Sequence, residues 1–176
     1  YRRTHTAGAT YFFTVNLADR KQTLLLDHAD TLKKVIVKVQ ANHPFEIDAI
    51  VVLHEHLHCI WTMPVDDGDY STRWSLIKSN FSRALPKEEG ISDSRVSKRE
   101  RGIWQRRFWE HQIRDDADYQ RHVDYIHINP VKHGYVGQVK DWPHSSFHRY
   151  VEQGLLPIDW GGENLDEAFV GGERSE

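Results

Sequence analysis

The stretch HEHLHCIW, residues 54–61, sets three histidines at two-residue spacing among apolar neighbours. In an extended chain, residues two apart share a face and stand about 6–7 Å apart, so His56 and His58 can converge on one cation while Leu57 turns into the opposite layer. An imidazole nitrogen suits Mn²⁺, Zn²⁺ and similar ions, and Mg²⁺ when oxygen ligands complete the shell. His54 falls in or beside a turn and is set aside as a ligand. Twelve histidines in 176 residues make chance pairs common, so the pair alone fits structural histidines at least as well.

A second group of reactive side chains lies in DYIHINPVKHG, residues 124–134. The pattern predicts a helix that starts at Asp115, with Asp115, Asp116 and Asp118 at its positive end, and that Pro130 closes at Asn129. Tyr125 and Asn129, four apart, are neighbours on one face of it. Tyr119, Val123 and Ile126 make its buried stripe, and Tyr125, about 120° from the centre of that stripe, is expected beside the core and not within it. A phenol next to a carboxamide and two imidazoles suits a nucleophile at a metal. A core-edge tyrosine with an asparagine closing the helix is the plain structural alternative.

The elements that must position these groups follow from periodicity. TYFFTVNL (10–17) is β-branched and aromatic and reads as a strand. In 27–40, Leu32, Val35, Ile36 and Val39 form one helical stripe behind a capping Asp27. Residues 45–63 are strand-like throughout but too long for one strand, so they fold back near His54 and Glu55 as two antiparallel strands. In 71–85, Trp74, Ile77, Phe81 and Leu85 share a helical face behind a serine cap. Residues 86–102 carry no apolar periodicity and read as a mobile basic loop, and 103–114 return to strand-like composition. The order β-α-β-β-α-β predicts an α+β, ferredoxin-like antiparallel sheet with helices on one face and an added catalytic helix.

Length and composition agree with one globular domain, placed at residues 1–150, followed by an acidic tail at 151–176. No apolar run reaches the roughly 18 residues of a membrane span, the first residues lack the apolar core of a signal peptide, and the single Cys59 suits a reducing cytoplasm. The net charge of −3 hides a segregation: residues 1–70 carry −2, 71–114 carry +6 and 115–176 carry −7. In the basic block, 95–114 interleaves seven basic residues with Trp104, Phe108 and Trp109. Basic groups beside aromatics suit a phosphate backbone with bases stacked on rings, although charge runs are also common on solvated faces.

These motifs together resemble the REP-associated tyrosine transposases, a branch of the single-tyrosine HUH transposases. GATYFFTVNL is similar to their first strand, VVLHEHLHCIW to their histidine hairpin, and DYIHINPVKHGYV with DWPHSSFHRY to the segment around their tyrosine. The likeness runs from about residue 8 to residue 150. One departure is His54-Glu55, where the family commonly has Pro-Asn before the first ligand histidine. The resemblance implies that His56, His58 and Asn129 bind one Mg²⁺ or Mn²⁺, that Tyr125 is the nucleophile, and that the substrate is single-stranded DNA with extragenic palindromic hairpins. It also implies a bacterial cytoplasmic enzyme acting on the nucleoid, working as a monomer, or as a dimer like the related single-tyrosine transposases that exchange their catalytic helix between two subunits.

A third histidine would point toward Zn²⁺, whereas oxygen from Asn129 and phosphate favours Mg²⁺ or Mn²⁺. A phenol of pKa about 10 needs help to ionise near neutrality, and Lys132 and His133 lie close enough in sequence to be tested. Arg2, Arg3, Lys78, Arg106, Arg107, Lys132 and Trp109 are the candidates for holding DNA. Two rivals stand beside this reading: a hairpin-binding regulator that does not cut, and a hydrolytic metalloenzyme with an H-x-H zinc site, which would leave Tyr125 without a role. The acidic tail is suited to cover the basic surface and compete with DNA. Deleting residues 161–176 is expected to raise the rate of hairpin cleavage on a denaturing gel, and an unchanged rate removes the tail from that role.

Overall fold

The structure is a computed structural model that describes residues 2–87, 93–98 and 101–161. Strand β1 (Thr10–Asn16) leads through helices α1 (Leu24–Asp27) and α2 (Ala29–Asn42) to β2 (Glu46–Val52) and β3 (His56–Thr62). Helices α3 (Tyr70–Ala84) and α4 (Asp93–Ser97), strand β4 (Trp109–Gln112), and helices α5 (Asp116–Lys132) and α6 (Phe147–Glu152) follow. The strands form one antiparallel sheet in the order β2-β3-β1-β4, so the expected ferredoxin-like arrangement is present.

Alternation along the central strands separates two cores. Tyr11, Phe13 and Val15 of β1 and Leu57, Cys59 and Trp61 of β3 pack with α2 and α3. Trp61 and Trp74 stack at 4.2 Å and 15°, and Phe45 closes on Trp61 at 4.0 Å. The stripe Leu32, Val35, Ile36 and Val39 is the buried face of α2. On the other side of the sheet, Phe12 and Ile60 meet Val123, Tyr125 and Ile126 of α5. Helix α5 thus packs on the face opposite α2 and α3, joined there by Trp142 and Tyr150 from the chain that follows it.

Several local expectations are corrected. Asp27 ends α1, where its carboxylate accepts from the Thr23 hydroxyl at 2.7 Å, and α2 begins after His28 with no side-chain cap. The cap of α3 is Asp69, accepting from the Thr72 amide, two residues before the serine at 71. Part of the basic loop is helical, at Asp93–Ser97, while residues 88–92 and 99–100 lie outside the described residues. Only Trp109–Gln112 of the segment 103–114 pairs as strand.

Helix α5 does not stop at Asn129. It is capped by Asp115, accepting from the Asp118 amide, and runs through Pro130 to Lys132. A proline this close to the end forfeits one bond, the one its missing N–H would make to Ile126, and the helix continues under packing from its buried neighbours. It then closes in a Schellman motif, with the Tyr135 amide on the Pro130 carbonyl (3.0 Å), the Gly134 amide on the Val131 carbonyl (2.9 Å) and Gly134 at φ +75°.

The chain after α5 then covers the edge of β2. The Val52 amide donates to the His144 carbonyl (2.9 Å), the Ser146 amide to the Ile50 carbonyl (2.8 Å) and the Trp142 indole to the Val52 carbonyl (3.0 Å). This pairing satisfies backbone groups that would otherwise offer an open edge. Leu156 and Trp160 pack on Ile128, Val139 and Phe147, while residues 162–176, most of the acidic tail, lie outside the described residues. Among the described residues no helix is long and apolar enough to cross a membrane.

Gly134→Ala forces a Cβ into the left-handed region at the point where α5 must end. It is expected to lower stability by about 1–2 kcal/mol in urea unfolding.

Candidate active site

Strand β3 supplies the floor of the site. His56 and His58 point to the α5 side, both fully buried, with rings edge to face and centroids 4.8 Å apart. Each is held from behind through Nδ1. His56 Nδ1 lies 2.8 Å from Glu55 Oε1, and His58 Nδ1 lies 2.7 Å from the Thr14 hydroxyl. Burial opposes ionisation of Glu55, but the hydrogen bond and charge of His56, with Arg20 at 3.2 Å, outweigh it and hold the carboxyl down at about 2. An ionised carboxylate only accepts, so in the neutral His56 ring Nδ1 carries the proton and Nε2 carries the lone pair. This arrangement fixes a ligand histidine's tautomer and raises its basicity.

Helix α5 supplies the roof. Tyr125, Asn129 and Lys132 recur at i, i+4 and i+7, on one stripe. The Tyr125 ring meets His58 edge to face at 5.2 Å and Phe12 at 6.1 Å. At 2% exposure it belongs to the core, contrary to the position at the core edge expected from helical angle. The angle counts only the stripe on the helix, whereas Phe12 and His58 rise from the sheet and close over the flank. Lys132 Nζ donates to the Tyr125 hydroxyl at 3.3 Å and lies 4.7 Å from the ring centroid. Asn129 is fully buried, its Oδ1 included. Two imidazole nitrogens and one carboxamide oxygen, with the tautomer of one ring already set, make a donor set that Mg²⁺ or Mn²⁺ fits once phosphate or water oxygens complete the shell.

The same sheet face carries Trp109. It pairs with Thr14, which pairs with His58, so the three stand in one row across the sheet, with Trp109 44% exposed at the rim. Lys78 and Arg106 lie around the β4 edge on the reverse side. They share a groove of about 570 Å³ with Arg83, Arg95 and Arg101, and among the described residues none of its lining is acidic. Lys78 Nζ donates to the Gln105 carbonyl at 2.7 Å and Arg106 to the Ser94 hydroxyl at 2.9 Å. Arg2 and Arg107 are exposed. Arg3 stands behind the groove's Phe108, its guanidinium 3.8 Å over that ring, and is paired with Glu110 at 2.9 Å.

Sequence reasoning did not find Thr14, Glu55, Asp118 or His122. Glu55 was visible only as a departure from the family pattern, and Thr14 needs the strand register. His122 and Asp118 could have been found by extending the stripe of Tyr125 backward by three and seven residues. His111, Asp118 and His122 bring ligand-type atoms within 4.8 Å of one another. Asp118 is, however, already bonded by Arg114 (3.2 Å), Arg121 (3.3 Å) and His111 (2.8 Å), and two fixed guanidinium charges disfavour a divalent cation there. The cluster acts instead as a latch between β4 and the first turn of α5. Burial works against ionisation of Asp118, but the bonds from His111 and Arg114 outweigh it and hold the carboxyl well below the usual range. Burial lowers the His122 imidazole, which stacks on His111 at 4.8 Å and leans on Phe12 at 4.8 Å.

A helix-borne tyrosine over paired strand histidines on a ferredoxin-like sheet defines the single-tyrosine transposase class. Residues 6–129 match the family model described as Transposase IS200 like. A REP-associated tyrosine transposase of Escherichia coli (strain K12) is 52% identical over 174 residues, which cover 99% of this chain and 96% of that protein. A Haemophilus influenzae protein provisionally given the same description is 48% identical over 163 residues, covering 92% and 93%. A solved structure of a REP-associated tyrosine transposase bound to a REP hairpin superposes with a TM-score of 0.87 at 51% identity, covering 100% of this chain and 98% of that one. The chain belongs to the IS200-like transposases, as a REP-associated tyrosine transposase, an enzyme of DNA cutting and rejoining.

The latch yields a prediction with a sign. The folded-state pKa of Asp118 is depressed, so its contribution is complete above its unfolded value of about 3.9 and fades as pH falls below it. Asp118→Asn is expected to lower stability by about 2 kcal/mol at pH 7 in urea unfolding, with the gap from wild type closing below about pH 4.

Proposed function

We propose that the protein cuts and rejoins single-stranded DNA at REP-type hairpins through a 5′-phosphotyrosine bond on Tyr125. The observation that carries the reading is the Tyr125 phenol held between a strand-borne histidine pair and the Lys132 ammonium. The Tyr125 oxygen attacks phosphorus, the bond from phosphorus to the 3′-oxygen breaks, and that oxygen leaves with a proton as a 3′-hydroxyl. One phosphodiester bond is exchanged for another, so a 3′-hydroxyl can reverse the step or join a different strand without ATP.

Lys132 is placed to favour negative charge on the phenol oxygen, both as it attacks and as it leaves in the reverse step. His56 and His58, through Nε2, and Asn129, through Oδ1, are the residues that would hold Mg²⁺ or Mn²⁺. When bound, the cation polarises the phosphate and offsets charge in the transition state. Glu55 and Thr14 keep the two imidazoles turned toward it.

The relative of known structure is bound to a REP hairpin. The cationic groove behind β4 suits the stem of such a hairpin, by neutralising backbone phosphates. From there the single strand rounds the four-residue β4 and passes Trp109, which offers an exposed ring for a base. Helix α5 lies on the sheet of its own chain, so one chain completes the site, which supports action as a monomer. DNA of this kind places the enzyme in the bacterial cytoplasm.

The test is a denaturing gel of the protein with labelled single-stranded hairpin DNA, in Mn²⁺ or in chelator. A covalent adduct is expected in Mn²⁺ only, absent in Tyr125→Phe and His56→Ala, and slowed about 100-fold in Lys132→Ala. Cleavage without an adduct would make water the nucleophile, and binding with neither would make the protein a non-cutting hairpin binder.

A further inference from the structure

The loop that joins β1 to α1 is built against the site and against the cationic groove at once. Strand β1 ends at Asn16, which stands opposite His56 in the strand register. The Leu17 amide then donates to the Glu55 carbonyl at 2.7 Å, and the Leu25 amide to the His54 carbonyl at 3.3 Å, so both ends of the loop are bonded to the bend before His56. The Ala18 amide donates to the Ile103 carbonyl at 2.9 Å, and Ile103 lines the groove. Within the loop the Asp19 carboxylate accepts from the Lys21 amide at 2.9 Å, a local turn with Arg20 at its middle. Arg20 therefore stands on a braced loop that reaches from the groove to the histidine hairpin.

One terminal amino group of Arg20 donates to Glu55 Oε1 at 3.2 Å, the same oxygen that lies 2.8 Å from His56 Nδ1. The guanidinium thus stands one carboxylate oxygen away from a ligand-candidate imidazole. Its side chain is 44% exposed, against 10% for Glu55. An ion pair that open to water adds little to stability, so support of Glu55 is a poor account of a cation in this place. A guanidinium carries its donors in a planar fork, and a fork that shares one amino group with a carboxylate still has donors for the oxygens of a phosphodiester. The carboxylate behind it restrains a long side chain in advance, so less freedom is lost when an anion binds.

We propose that Arg20 is a phosphate clamp, binding the backbone phosphate next to the one that Tyr125 attacks, with Glu55 holding the guanidinium in place. The inference rests on the reading that single-stranded DNA reaches Tyr125. A phosphate contact is blind to the base, so the clamp sets where the strand lies along the site and leaves the choice of sequence to other residues.

The test is a methylphosphonate scan. A labelled REP hairpin with its single-stranded flank carries one uncharged methylphosphonate at each flank linkage in turn, and binding is read by fluorescence anisotropy in chelator over a range of salt. At one linkage beside the cleavage point, loss of the charge is expected to weaken wild type about tenfold. Arg20→Gln should bind intact DNA about tenfold more weakly and lose nothing further at that linkage. Its plot of log affinity against log salt should be shallower by about 0.7, the share of one single-strand phosphate. Arg20→Lys, which keeps the charge without the fork, should keep the salt slope and the sensitivity to that linkage at an affinity between the two. A residue that only supports Glu55 and the bend before His56 would leave the pattern of losses along the flank the same in wild type and Arg20→Gln, and that result overturns the clamp, as does wild-type affinity in Arg20→Gln. An adduct formed by wild type in Mn²⁺ without this coupling means that the clamp alone is wrong. Neither adduct nor hairpin binding by wild type means that the proposed function fails and the clamp with it.

Discussion

The side-chain alternation of β3 governs what the rest of the molecule must do. A strand of period two sends His56 and His58 to one face and Leu57, Cys59 and Trp61 to the other, at full burial on both. Buried imidazoles are costly unless their nitrogens are engaged. Glu55 and Thr14 meet that need from behind, and the same bonds settle which way the rings face. A one-residue slip in register would put both histidines into the aromatic core between the sheet and α3, so the Trp61–Trp74 stack also protects the site.

Helix α5 answers the strand with a polar stripe of its own. Asp118 and His122 tie its start to β4, Tyr125 meets His58 with the buried Asn129 one turn further along the same stripe, and Lys132 donates to the phenol. Each lies within the reach of a helix that stays regular for 17 residues, so continuity through Pro130 matters. A helix ended at Asn129 would have released Lys132 from the stripe that delivers it to the Tyr125 oxygen. Gly134 then reverses the chain, which lets the following residues cover the β2 edge.

Charge is divided between the two faces of the sheet. On the α5 face the Lys132 ammonium stands at the Tyr125 hydroxyl, whereas the groove behind β4 gathers arginines and a lysine with no acidic side chain among its described lining. Long-range attraction to a polyanion and short-range stabilisation of one oxygen are different tasks. The short β4 strand separates them, with Trp109 exposed at the rim of the α5 face.

The sequence by itself determined the order of elements, the burial of the α2 stripe, the convergence of His56 and His58, and the pairing of Tyr125 with Asn129. All of these follow from periods of 2 and 3.6 along short stretches of chain, together with motifs specific enough to name a family. Only the tertiary structure decided which groups stand behind the histidines, because Thr14 reaches His58 through a strand pairing across 44 residues. It also decided that Tyr125 is buried, since the rings that cover its flank come from the sheet. The latch at Asp118 and the extension of α5 past Pro130 were decided there too. In each case local propensity is weaker than the packing and charge that distant segments bring to the same place.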